Sequence, residues 1–148
     1  MINIARVDHI GIRVADLDRA TAFYRIFGFE QLHAAENDAV VVMKNDQDVE
    51  INIIYNANNA NDDKNILMDV PEKYPGYTHV AFRVESIADT VAALRENGIE
   101  ITQGPVSFGN DGHVSVFLRD PDRNTIELRG RAEDLSKLGG VEQYEPEN

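Results

Sequence analysis

The sequence contains a repeat. Val7-Asp8-His9-Ile10-Gly11-Ile12-Arg13-Val14 lies over Tyr77-Thr78-His79-Val80-Ala81-Phe82-Arg83-Val84 at an offset of 70 positions, with His over His, Arg over Arg and Val over Val. The register continues with Leu17 over Ile87, Gly28 over Gly98 and Glu30 over Glu100. Beyond that it reads as slipping by seven, which sets Asp48-Val49-Glu50-Ile51 over Thr125-Ile126-Glu127-Leu128. Two copies of one unit must fold alike, and each must present its own apolar face to be buried. That requirement excludes most architectures open to 148 residues.

Each copy reads as a strand, a helix and then further strands. Ile10, Ile12 and Val14 alternate with His9, Gly11 and Arg13, the period of a half-buried strand. Asp16 can cap the following helix, Leu17, Ala20, Phe23, Tyr24 and Phe27 form its apolar stripe, and Gly28 stops it. In the second copy Ser86 is the cap, Asp89 follows three residues on as in a capping box, and Ile87, Val91 and Leu94 are the stripe before Gly98. Further strands are expected at 39–43, 49–55, 114–118 and 125–128, joined in pairs by the turn residues of 45–48 and 120–124. The expected fold is α/β (α+β): two tandem βαβββ modules, about 5–56 and 76–130, forming one curved U-shaped sheet with the helices on its outer face. Residues 57–75 read as a linker, with an Asn/Asp-rich mobile loop at 56–63 and some strand character at 66–70; 131–148 read as an acidic tail or short helix without assigned function.

Composition narrows the function. The chain has no Cys, which removes disulfides, thiolate ligands and cysteine nucleophiles together. A net charge of −12 argues against nucleic acid and anionic membranes as partners. No apolar run approaches a membrane span, and the start lacks the apolar centre of a signal peptide. The expectation is a cytoplasmic protein acting on a small molecule.

Side-chain parity points to chemistry. If the helices cover Ile10, Ile12, Val14, Val80, Phe82 and Val84, then His9 and His79 project from the opposite face. Glu50 and Asn52 oppose Val49, Ile51 and Ile53; Thr125, Glu127 and Arg129 oppose Ile126 and Leu128. A lone His on a strand is ordinarily a hydrogen-bonded residue, and a lone Glu is ordinarily solvated. The joint pattern, with both His and both Glu on the open face at matching places, makes His9, Glu50, His79 and Glu127 a candidate divalent-metal site. Their two negative charges would neutralise the cation.

At these residues the sequence resembles the vicinal oxygen chelate superfamily, which includes glyoxalase I, extradiol dioxygenases, fosfomycin-resistance enzymes, methylmalonyl-CoA epimerase and bleomycin-binding proteins. The resemblance rests on His9 to Val14, Phe23-Tyr24 with Phe27-Gly28-Phe29, Gly76 to Phe82 and Asp120 to Leu128. It implies paired βαβββ modules around one metal, Ni, Co, Zn, Mn or Fe, in a homodimer whose sites are shared across the interface. The His-Glu-His-Glu set is similar to that of bacterial glyoxalase I, and Arg13 matches an arginine that contacts glutathione there. In that family the second ligand strand continues Glu-Leu-Thr-aromatic-Asn. Here it reads Glu50-Ile51-Asn52-Ile53-Ile54-Tyr55-Asn56, with Ile54 in the expected Asn place. Aligning Tyr55-Asn56 instead would move the ligand to Asn52; the repeat pairs Glu50 with Glu127, and Glu50 is kept.

The resemblance implies a lyase or isomerase that moves a proton on a chelated 2-hydroxycarbonyl or thiohemiacetal. The metal would stabilise charge on substrate oxygens while a carboxylate, Glu127 or its counterpart Glu50, shuttles the proton. Arg13, Arg83 and Asn52 are candidate substrate contacts. The alternatives are an Fe(II) dioxygenase on His9, His79 and Glu127, an epimerase, or a metal-free drug-binding protein. Glu50 would crowd an oxygen site, and Phe117 and Leu118 stand near where the extradiol signature has a Tyr; His113 could serve as a nearby acid.

Overall fold

The structure, a computed structural model, describes residues 1–35, 38–58, 64–132 and 135–146. Residues 59–63 of the expected linker, and 133–134 and 147–148 of the expected tail, lie outside it. The chain divides into two compact units, Met1–Asn65 and Ile66–Asn148.

The first unit runs β1 (Ile10–Arg13), α1 (Leu17–Ile26), β2 (Glu30–Ala35), β3 (Val40–Lys44) and β4 (Glu50–Ile54). Its sheet has the order β1-β4-β3-β2, with β1 parallel to β4 and the other pairs antiparallel. Asp16 caps α1 by accepting from the Arg19 N–H at 2.8 Å, and Gly28 leaves the helix at φ 82°, a left-handed value that glycine adopts without strain. The face carrying Ile12, Val14, Ile51 and Ile53 is buried with Val41 and Met43 and with Ala20 and Tyr24 of α1. Each large side chain fully withdrawn from water in this way contributes roughly 1.5–3 kcal/mol.

The second unit repeats the plan with longer strands: β5 (His79–Ser86), α2 (Ile87–Glu96), β6 (Ile101–Ser107), β7 (His113–Arg119) and β8 (Thr125–Arg131). The sheet order is β5-β8-β7-β6-β9, where β9 (Glu142–Gln143) comes from the segment expected to be a tail. Ser86 caps α2 through the Asp89 N–H, and Ile87, Val91 and Leu94 are buried as the stripe requires. A Cβ at Gly130 would stand 2.8 Å from the Val84 carbonyl oxygen, so the close approach of β8 to β5 there needs a glycine. Leu138, in a 3-10 turn at Leu135–Leu138, is buried. Residues 66–70 form no strand; Asp69 pins them to the β7–β8 turn by a two-pronged bond with Arg123 and an ion pair with Arg119 at 3.2 Å. Among the described residues no helix is long and apolar enough to cross a membrane.

The strand register corrects the second half of the repeat. Ile10 stands opposite Ile51 in the first unit and Val80 opposite Ile126 in the second, so Gly11 faces Asn52 where Ala81 faces Glu127. The turns agree. Asn45 Oδ1 accepts from the N–H groups of Gln47 and Val49, and Asp120 Oδ1 accepts from those of Asp122 and Asn124. Asp48 and Arg123 then take the same left-handed φ, 64° and 63°. The matching residues of β4 and β8, and of the two turns, are each 75 positions apart, not 77. The counterpart of Glu127 is therefore Asn52, and Glu50 corresponds to Thr125. Glu-Ile and Glu-Leu match by letter, but the turn residues set the strand register two positions away from that match.

Candidate functional site

In the second unit, residues in direct register across a sheet share a face, so His79, Ala81 and Arg83 of β5 lie on one surface with Thr125, Glu127 and Arg129 of β8 and Ser115, Phe117 and Arg119 of β7. Glu127 is only 8% exposed. A carboxylate that far from water needs partners, and each oxygen has one. Ser115 Oγ donates to Oε1 at 2.5 Å, and Oε2 lies 3.0 Å from His79 Nε2. The other imidazole nitrogen of His79, Nδ1, lies 2.9 Å from Thr78 Oγ1. Behind Ser115, Arg129 donates to its hydroxyl at 3.3 Å and to Asp111 Oδ2 at 2.9 Å. Asp111 is held below its ordinary 3.8, first by the N–H of His113 and further by the side chain of His113 and the Arg129 charge. A line of polar groups thus runs from Asp111 through Arg129 and Ser115 to Glu127 and His79. Cooperative networks of this kind hold a side chain in one orientation.

His79 and Glu127 open onto a pocket of about 510 Å³ lined also by Gln103, Phe108, Phe117, Arg129 and Tyr144. The arginine on this pocket is Arg129, whereas Arg83, the expected substrate contact, lies 2.9 Å from His113 Nε2. His113 itself sits 3.1 Å from Asp111 Oδ2. Parity had already set Arg129 on the open face. Ser115, Asp111 and Tyr144 gave no sequence signal of their own, because each matters only through a neighbour far along the chain.

In the first unit His9 is exposed, and its Nδ1 lies 2.7 Å from Asp8 Oδ1. The imidazole holds the Asp8 carboxyl below its ordinary range. Asp8, His9 and Glu50 each bring one ligand atom within 4.8 Å of the others. Two residues along β4, Asn52 buries its Oδ1 without a hydrogen-bond partner. Beside it Arg13 Nε donates to Asn56 Oδ1 at 3.1 Å. The structure thus brings His9 to Glu50 and Asp8, and His79 to Glu127, with Asn52 opposite Gly11 two residues along β4 from Glu50. Imidazole, carboxylate and amide oxygen without thiolate form a donor set that fits a divalent cation accepting mixed N and O ligands. The orphaned amide oxygen, costly when left unsatisfied, is the observation that favours such an occupant.

The family model of the Glyoxalase/Bleomycin resistance protein/Dioxygenase superfamily matches residues 6–128. The chain belongs to this superfamily. Among curated relatives it is 30% identical over 141 residues to the lactoylglutathione lyase of Haemophilus influenzae, covering 88% of this chain and 96% of that one. It is 31% identical to the lactoylglutathione lyase of Escherichia coli O157:H7, over 83% of this chain and 90% of the other. Among solved structures, a glyoxalase/dioxygenase from Nostoc punctiforme superposes with a TM-score of 0.65 at 20% identity, covering 90% of this chain and all (100%) of that one. The superfamily name spans several chemistries, so the two-module α+β fold is common ground and the reaction is argued from the site.

Proposed function

We propose that this superfamily member is a divalent-metal-dependent lyase or isomerase that moves a proton on a 2-hydroxycarbonyl or thiohemiacetal substrate, as a homodimer. The observation that carries the reading is the Glu127 carboxylate, anchored by Ser115 at one oxygen and presenting the other at the pocket beside His79. A bound divalent cation, Ni, Co, Zn, Mn or Fe, would supply Lewis-acid stabilisation of charge developing on substrate oxygens. Glu127 takes the proton from the hydroxyl-bearing carbon and returns it to the former carbonyl carbon, while the hydroxyl proton passes to the former carbonyl oxygen, so no atom is gained or lost. Positioned general-base catalysis of this kind contributes about 10²–10⁴-fold. The similarity to lactoylglutathione lyases supports a thiol adduct as the substrate class. Arg13, set by Asn56, is the proposed contact for the anionic part of the thiol carrier.

The proposed metal ligands are His79 and Glu127 in the second unit and His9 in the first. Of the two β4 candidates, register and the orphaned oxygen favour Asn52 as the fourth. Glu50 is then an anionic neighbour of His9 rather than a second catalytic base. Elemental analysis of the purified protein, with the exchange of substrate C–H for solvent deuterium, tests the reading. Stoichiometric metal with exchange on a thiohemiacetal is expected; a metal-loaded protein that exchanges none of a panel of such substrates overturns it.

A neutral Asn52 favours one second reading. His9, His79 and Glu127 are then a two-His, one-carboxylate set, the pattern of non-haem Fe(II) oxygenases. Oxygen uptake with a catechol after anaerobic Fe(II) loading separates this reading from proton transfer.

A further inference from the structure

The carboxy-terminal segment carries a residue that the proton-transfer chemistry does not use. Val106 and Ser107 of β6 stand opposite Glu142 and Gln143 of β9, and the Tyr144 N–H donates to the Ser107 carbonyl at 2.8 Å. Gln143 Nε2 donates to the same carbonyl at 3.1 Å. These bonds fix the Tyr144 ring 4.9 Å from that of Phe108. Phe108 lies 6.1 Å from Phe117, and Phe117 lies 5.6 Å, edge to face, from the His79 imidazole. A row of rings therefore leads from the end of the chain to the reacting end of the pocket.

Phe108 and Tyr144 are each 43% exposed, an unfavourable state for paired aromatic surface unless something apolar covers it. Among the described residues the guanidinium lining this pocket is that of Arg129, which is taken up by Asp111 and Ser115, so the wall offers little net charge to an anion. The pocket, about 510 Å³, is also far larger than a methyl substituent fills, at roughly 30 Å³ for one heavy atom taken at the volume of a water.

Building on the proton-transfer reading, we infer that Tyr144, with Phe108 and Phe117, selects substrates whose reacting carbonyl carries a neutral, flat apolar substituent, and that Tyr144 is the specificity-determining residue. A phenyl group has the size and shape for this slot, and a methyl group leaves most of it empty.

The chain has no Trp, so Tyr144→Trp places one reporter at the site. The protein as purified is titrated with mandelate and with lactate, 2-hydroxy acids that differ only in a phenyl or methyl substituent. The expected result is a blue-shifted Trp emission at a mandelate concentration about tenfold below that needed for lactate, about 1.4 kcal/mol. In competition against the reporter-free chain, Tyr144→Ala abolishes the preference and Tyr144→Phe keeps it. The phenyl-to-methyl ratio of kcat/KM on the corresponding thiohemiacetals falls by the same factor in Tyr144→Ala, with unchanged circular dichroism. Equal affinity for the two acids in the wild type, or a preference that survives Tyr144→Ala, overturns the inference. A preference lost in Tyr144→Ala without turnover of any substrate upholds the slot and rejects the proposed reaction instead.

Discussion

At the middle of the second sheet stands Glu127; at the matching place in the first stands Asn52. Around that pair the two units keep one backbone plan, down to the left-handed residue in the β3–β4 and β7–β8 turns, and change the side chains laid on it. Val40 and Val42 of β3 correspond to Ser115 and Phe117 of β7, judged by their partners on β4 and β8. The first unit thus has no hydroxyl at the place where Ser115 anchors a carboxylate, and no ring at the place of Phe117. The two frames are alike, and the buried carboxylate and the aromatic wall lie in the second. The first kept an imidazole, a neutral amide oxygen and an arginine–amide pair.

The largest expected effect breaks that asymmetry at its strongest point. Glu127→Gln should lower the rate of substrate C–H exchange by about 10²–10⁴-fold, the range for loss of a positioned base. Asn52→Ala should lower it by less than about tenfold. Solvent-deuterium exchange with metal content measured in parallel reads both, and equal losses would mean that the units share the work evenly. Next come the two turns. Asp120, 3% exposed, accepts from two backbone N–H groups and from the Asn124 amide. Asp120→Ala should cost about 2–3 kcal/mol by chemical denaturation, whereas Asn45→Ala, which loses two neutral bonds in a more open turn, should cost about 1 kcal/mol.

A smaller effect is expected from restoring symmetry. Asn52→Asp adds the carboxylate that the second unit has, and should tighten divalent-metal binding by about tenfold, whereas Glu50→Gln should change it less than about twofold. Competition with a fluorescent chelator measures both, and the reverse order would return the ligand role to Glu50. The smallest concerns Asp111. Its carboxyl is held below 3.8 in the folded chain, first by the His113 N–H. The stabilisation is therefore present above the unfolded value and lost as pH falls through the lowered one. The Tm difference between wild type and Asp111→Asn should hold at pH values above 3.8 and shrink as pH falls below it. A difference that persists in acid would place the effect elsewhere.

Much of this fold was legible from short-range pattern. The α1 and α2 caps, the α2 stripe, the glycine stops and the hairpin turns all follow from residues within a few positions of one another, whereas α1 buries Ala20 and Tyr24 of its expected stripe together with Thr21. The βαβββ plan calls for a third strand after each helix, but local pattern does not locate β2 or β6. Glu30 to Ala35 shows no clean alternation, and β6 contains Gly104-Pro105, residues that ordinarily break strands; each becomes a strand by pairing with β3 or β7. Residues 142–143 likewise become β9 only because β6 offers an edge.

The site divides along the same line. Period-2 parity is a local property of the chain, so the sequence alone set His79 on one strand face with Ala81 and Arg83, and Glu127 with Thr125 and Arg129, whereas His9 stands just before β1. Which residue of β4 answers Glu127, and which groups hold that carboxylate, depends on hydrogen-bond register between strands distant in the chain. Register is set by turn geometry and inter-strand pairing, and a shift of two residues preserves parity while exchanging Glu50 for Asn52. Only the tertiary structure could make that choice, because both registers bury the same apolar face.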